Sequence, residues 1–168
     1  QPCSTYDAPM VRAAEKADPH PVDGAFMQAR MSQAFCDDTA RTRVLTACMG
    51  LIKQRDDQIG RLMAFVEDQG IADDTMIIFT SDHGDYLGDH WLGEKDLFHE
   101  QSVKVPLMVV DPSPEADAAR GTVCDELVEQ IDLAATFIEA AGGKVPGHIV
   151  EGRSLAPFLR AEPPEEWR

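Results

Sequence analysis

Residues 75–85 read Thr-Met-Ile-Ile-Phe-Thr-Ser-Asp-His-Gly-Asp. Asp82 and His83 pair a hard oxygen donor with an imidazole nitrogen, a mixture that suits Mn, Zn or Fe better than Ca, whose cages are all oxygen. Two donors do not complete a divalent site. Asp85, Asp89 and His90 are the further candidates nearby, although so short a loop cannot readily fold all of them inward. A hydrogen-bonded turn would use the same Asp-His pair, and spacing alone does not separate the two readings. Lys95 is a compact point charge able to hold a phosphoryl or sulfuryl oxygen and to stabilise developing charge. Flanked by Glu94 and Asp96, it would equally suit a surface ion pair worth at most about 1 kcal/mol. His90 and His99 read either as groups orienting a metal-binding residue or as plain loop histidines. His20 and His148, in Pro-rich stretches, read as solvent-facing.

Something must present these residues. Met76-Ile77-Ile78-Phe79 has the length and β-branched content of a buried strand. In open α/β sheets, ligands bind just beyond the carboxyl ends of strands, where Asp82 and His83 would fall. Gly84 beside them would permit a tight turn. Upstream, Asp37-Asp38-Thr39 offers helix caps ahead of Val44, Leu45, Cys48, Met49, Ile52, Ile59, Leu62, Met63 and Val66, which recur at helical spacing. Gly50 and Gly60 each weaken that helix by about 1 kcal/mol relative to Ala, Gly70 is a natural stop, and Asp73-Asp74 turns the chain.

Beyond the strand, ten of the twenty positions in 81–100 are Asp, Glu, His or Lys, an unusual density beside a buried strand. A second strand is expected over 105–110, ended by Asp111-Pro112-Ser113-Pro114. An extended piece around 123–128 follows, then a helix over about 133–141 stopped by Gly142-Gly143, and a small surface turn of helix in 152–159. Residues 1–24, punctuated by Pro2, Pro9, Pro19, Pro21 and Gly24, read as loop. This alternation predicts an α/β fold, part of a mixed or parallel sheet flanked by helices. Two or three strands are too few for a sheet covered on both faces, so partner strands are expected elsewhere.

The 168 residues suit one domain, and 43% hydrophobic with 27% charged residues fit a soluble globular protein. Thirty acidic against fifteen basic residues, a formal charge of -15, argue against a nucleic-acid partner and make a cation welcome. No apolar stretch approaches the ~20 residues that span a bilayer, so no membrane partner is expected. Four cysteines without a C-x-x-C pair read as free thiols in a reducing compartment, which makes the expected location cytoplasmic. Cys3 has no activating base or cation beside it and does not read as a nucleophile. A chain opening on Gln1 with no visible leader is expected to be a piece of something longer.

Taken in order, Thr80-Ser81-Asp82-His83-Gly84-Asp85, Leu87-Gly88-Asp89-His90, Lys95 and Val105-Pro106-Leu107 resemble the C-terminal half of the sulfatase family. Within it they are most similar to the phosphonate monoester hydrolases of the alkaline phosphatase superfamily. Met49-Gly50-Leu51-Ile52-Lys53 with Asp57-Gln58-Ile59-Gly60-Arg61-Leu62 resembles the family's helix before the strand, and Gly152-Arg153-Ser154-Leu155 its tail motif. The resemblance implies an alkaline phosphatase-like fold, incomplete in this chain. Residues 1–112 would be the C-terminal part of the catalytic domain and 113–168 a C-terminal segment with a short strand and helices.

The resemblance also implies that Asp82 and His83 hold one divalent metal and that Lys95 contacts the non-bridging oxygens of the ester. His83 matches the phosphonate and phosphodiester branch, whereas many arylsulfatases place Asn there and bind Ca. Mn or Zn is therefore favoured, with Ca as the alternative. The family's C/S-x-P-x-R motif, source of the formylglycine nucleophile, is absent from these residues. The nucleophile and two further Asp ligands are expected in the N-terminal half, outside the chain. The expected function is hydrolysis of small sulfate, phosphonate or phosphate esters, carried out together with that half in a homo-oligomer, while the fragment alone is inactive. The alternatives are a phosphodiesterase or phosphomutase of the superfamily, or a non-catalytic regulatory or interaction domain that kept the metal loop.

Overall fold

A computed structural model describes residues 13–35 and 37–167. Cys3, Cys36 and the first part of the stretch read as loop lie outside them. In chain order the elements are α1 (Ala13–Ala17), α2 (Pro21–Met27), α3 (Arg30–Gln33), α4 (Asp38–Asp68), β1 (Ile77–Thr80), α5 (Glu100–Val103), β2 (Leu107–Val110), α6 (Gln130–Ala140) and α7 (Ala156–Leu159). Short 3-10 turns lie at Ala72–Asp74, Asp89–Trp91 and Pro114–Ala116. The chain divides into two compact units. One holds α1 to α3, most of α4 and the segment from the end of β1 to β2; the other holds the end of α4, most of both strands and everything beyond.

In the first unit, α4 begins where Asp37 Oδ1 accepts the N–H groups of Thr39 and Ala40, each at 2.9 Å. These are donors that the helix itself leaves without a partner. Pro21 opens α2 rather than breaking it, because a proline in the first helical turn has no N–H to forfeit and its fixed φ suits the helix. Residues 13–17 and 21–27 are accordingly helical, where the proline count suggests loop. The apolar side chains of α4 are not all covered: Met49, Leu51, Ile52, Ile59, Leu62 and Phe65 are exposed.

In the second unit, Gly70 at φ 66° ends α4 in the left-handed conformation that favours glycine. Ile71 N–H reaches back to Val66 O at 3.2 Å. β1 and β2 are neighbours in a two-stranded sheet. Helix α6 starts at a reciprocal cap, Glu129 N–H donating to Asp132 Oδ2 at 2.8 Å. Asp132 is fully buried, and its other oxygen accepts Arg153 N–H at 2.9 Å. Gly152 seats the tail against this helix start: a Cβ there would lie 2.1 Å from Ile131 O.

The tail is consequently not a surface turn. Leu155 and Ala156 are buried, Leu155 N–H donates to Thr136 Oγ1 at 2.9 Å, and the Trp167 ring stands edge-on to Phe158 at 4.8 Å. Residues 123–128 form no strand; Val123 and Leu127 stand in the open, with no neighbouring strand among the described residues.

Candidate active site

The backbone leaving β1 turns at once. Ser81 Oγ donates to His83 O at 2.8 Å, and His83 N–H donates to Asp82 Oδ1 at 3.0 Å. That backbone hydrogen bond is the main reason the Asp82 carboxyl is held below the ordinary carboxylate range. His83 Nδ1 lies 2.8 Å from Gly84 O. A carbonyl oxygen only accepts, so Nδ1 carries the proton and Nε2 keeps its lone pair in the neutral ring. Nε2 faces Lys95 Nζ at 2.7 Å and Asp82 Oδ2 at 3.4 Å. Carboxylate, imidazole lone pair and ammonium thus meet at the carboxyl end of β1. The Asp82 side chain is 82% exposed and that of His83 39%, so the pair faces outward.

The loop reaches Lys95 by a constrained route. Gly84 is required for a reason other than turn geometry: a Cβ there would lie 1.9 Å from Gln101 O, and its N–H donates to Ser102 O at 2.8 Å. Tyr86 N–H donates to Glu94 O at 2.8 Å, and Gly88 N–H to Leu92 O at 3.0 Å. Between these bonds Leu87, His90, Trp91 and Glu94 all adopt positive φ, with Asp96 just beyond. Tyr86 is 1% exposed, and its hydroxyl meets His99 Nδ1 at 2.9 Å. Burial pushes the Tyr86 phenol above its ordinary pKa.

The remaining candidates point elsewhere. Asp85 Oδ1 accepts Leu87 N–H at 2.9 Å, and Asp89 Oδ2 accepts Gln101 Nε2–H at 3.0 Å. His90 faces Glu15 at 3.4 Å and stacks on His99 at 4.4 Å between centroids. Among the described residues, no group of three His, Cys, Asp or Glu side chains could hold a metal ion. His20 caps α2, its Nδ1 accepting Val22 N–H at 3.4 Å, and His148 is exposed. Cys48 and Cys124 are unpaired thiols. Sequence reading gave no role to Ser81, Tyr86 or Ser32. Ser81 adjoins the Asp-His pair and was within reach of inference; Ser32 contacts the loop from 61 positions away and was not.

The sulfatase family profile matches residues 17–143. The chain belongs to the sulfatase family. This sulfatase-family chain is 38% identical over 143 residues to the multifunctional alkaline phosphatase superfamily protein PehA of Trinickia caryophylli, covering 85% of this chain and 27% of that protein. The phosphonate monoester hydrolase of Silicibacter pomeroyi superposes with a TM-score of 0.83 at 30% identity, over 96% of this chain and 32% of that one. A protein solved in complex with its substrate D-glucosamine-2-N,6-O-disulfate matches with a TM-score of 0.54 at 34% identity, over 67% of this chain and 22% of that one. The chain therefore spans about a quarter to a third of the length of these relatives. Its elements are those of an α/β fold of the alkaline phosphatase-like type.

Proposed function

We propose that this chain supplies two metal ligands, Asp82 and His83, and the substrate-contacting Lys95 of a hydrolase acting on small sulfate or phosphonate and phosphate esters. The observation that carries the reading is the meeting of Asp82 Oδ2, His83 Nε2 and Lys95 Nζ within 2.7–3.4 Å at the end of β1. Support for the reaction class comes from relatives named for phosphonate monoester hydrolysis and for a sulfated sugar substrate.

The donor set fits a divalent ion in part. Asp82 is held as a carboxylate, and His83 presents an unprotonated nitrogen oriented through its opposite ring N–H. One oxygen and one nitrogen favour Mn or Zn over Ca. When bound, such an ion neutralises charge on the transferring group and activates the nucleophile. The lone pair of Nε2 serves one partner at a time, so Lys95 has to leave it before His83 can ligate. Its flexible stem allows that movement, and the freed ammonium can then meet an anionic ester oxygen and stabilise the charge that grows there. The formylglycine nucleophile and the remaining ligands belong, on this reading, to sequence beyond the chain.

The test uses the longer protein that carries this chain, assayed with a 4-nitrophenyl sulfate and a phenyl phosphonate monoester. Lys95→Ala should lower kcat by at least 100-fold while the metal content holds, a loss typical of removing an oxyanion-type contact. Asp82→Ala should lose the metal. Wild-type turnover in the Lys95 variant, or full metal content in the Asp82 variant, overturns the corresponding assignment.

A further inference from the structure

Backbone at positive φ is strained for a non-glycine residue and persists only where its surroundings over-determine it. Leu87, His90, Trp91, Glu94 and Asp96 all lie there, at φ 47°, 53°, 61°, 60° and 89°. The loop leading into Lys95 therefore needs external support, and two parts of the first unit provide it.

On one side, Ser102 Oγ donates to Asp96 O at 3.1 Å. On the other side lies α3. Ser32, 1% exposed, accepts the Gly93 N–H on its Oγ at 3.2 Å. Gly93 lies so close that a Cβ would sit 2.6 Å from both Met31 O and the Phe35 ring. The same ring, itself buried, lies 3.1 Å from the Cβ position of Gly88, where the Arg41 stem is closer still. Gly88 and Gly93 are thus both pressed against the Phe35 ring. Glu94, between Gly93 and Lys95, gives its carbonyl to Tyr86 N–H at 2.8 Å. The Lys95 backbone is fixed on either side, at Gly93 through Ser32 and at Asp96 through Ser102, while its side chain reaches out to His83 Nε2 at 2.7 Å.

We propose that Ser32, backed by Phe35, is a positioning residue that sets where the Lys95 ammonium meets the Asp82–His83 pair. The inference rests on the role given to Lys95 above. Ser32 touches none of the reacting groups; it acts through the Gly93 amide. Loss of its hydroxyl removes the acceptor of a buried N–H and frees a strained turn two residues from Lys95.

The longer protein is again the material for the test, with four forms: wild type, Ser32→Ala, Lys95→Ala and the double variant. Ser32→Ala should lower kcat on the order of 10-fold to 100-fold, the effect of a misplacement near 1 Å, with KM and metal content retained. In the Lys95→Ala background the same change should cost nothing further, because there is no ammonium left to misplace. An equal loss in both backgrounds, or wild-type kcat in Ser32→Ala, overturns the proposal. Should Ser32→Ala fold poorly, Phe35→Leu makes a milder opening beside Gly93 and should show the same dependence on Lys95. Amide exchange over residues 92–96 separates this inference from the functional reading. If Lys95→Ala turns over normally, the role of Lys95 falls. Faster exchange in Ser32→Ala then still supports the clamp on the loop, and unchanged exchange overturns it.

Discussion

At His83 a single carbonyl decides the chemistry. Gly84 O can only accept, so Nδ1 donates and Nε2 is the nitrogen left with a lone pair for a cation. At Tyr86 burial decides instead. Its hydroxyl pairs with His99 Nδ1, and desolvation raises its pKa above the ordinary value near 10. A group whose pKa is raised by folding contributes stability that is fully present below its unfolded pKa and lost as pH climbs through the folded value. Stability measured by denaturant should therefore hold up to about pH 10 and fall above it. Tyr86→Phe should weaken that alkaline loss, while costing about 1 kcal/mol near neutrality for the hydrogen bond to His99. The comparison is one of urea midpoints at two pH values, and an unchanged alkaline slope in the variant would show that some other group titrates.

Among the elements, the start of α6 carries the most concentrated polar support. Asp132 is buried and holds two backbone donors, Glu129 N–H and Arg153 N–H, from opposite sides. Asp132→Ala would leave both without their carboxylate, and at about 1.5 kcal/mol for each hydrogen bond to a charged group the loss should be roughly 2 kcal/mol or more, read as a lowered Tm. Local signals of this kind made much of the fold legible. Asp37 as a cap, Gly70 and Gly142 as stops, and the apolar run of β1 each act within a few residues of their position in the chain. The misreadings share a cause. Pro21 was ambiguous between loop and first helical turn, and only the residues after it decide. The seat of the tail depends on Ile131 O lying beneath Gly152, and the need for Gly84 depends on Gln101 O. Neither neighbour follows from periodicity. The site itself was half legible: Asp82 and His83 are adjacent, and Lys95 folds back over a span of 12 positions. The contact of Ser32 with Gly93 spans 61 positions and has no signature in the sequence.

For the whole molecule, apolar exposure and site exposure lead to the same expectation. Phe98 is 96% exposed, Val123 86%, Leu127 82% and Ile149 73%, and α4 adds Leu51, Ile52, Leu62 and Phe65. Soluble proteins seldom leave large apolar patches uncovered, and relatives about three times as long as this chain offer sequence to cover them. The 168 residues alone should therefore bind a hydrophobic dye and run as heterogeneous aggregates on size-exclusion chromatography, whereas the longer protein should bind little dye and elute as one discrete species. Metal retention should separate the two proteins as well. With no three-donor group among the described residues and Asp82 82% exposed, the chain alone offers a divalent ion one carboxylate and one imidazole in open solvent. Two such donors leave most of the coordination sphere to water. After desalting, the isolated chain should retain little Mn or Zn and hydrolyse neither ester, while the longer protein retains about one equivalent. Equal retention by the short chain would mean that its own residues complete the site, and the expectation of further ligands outside it would fall.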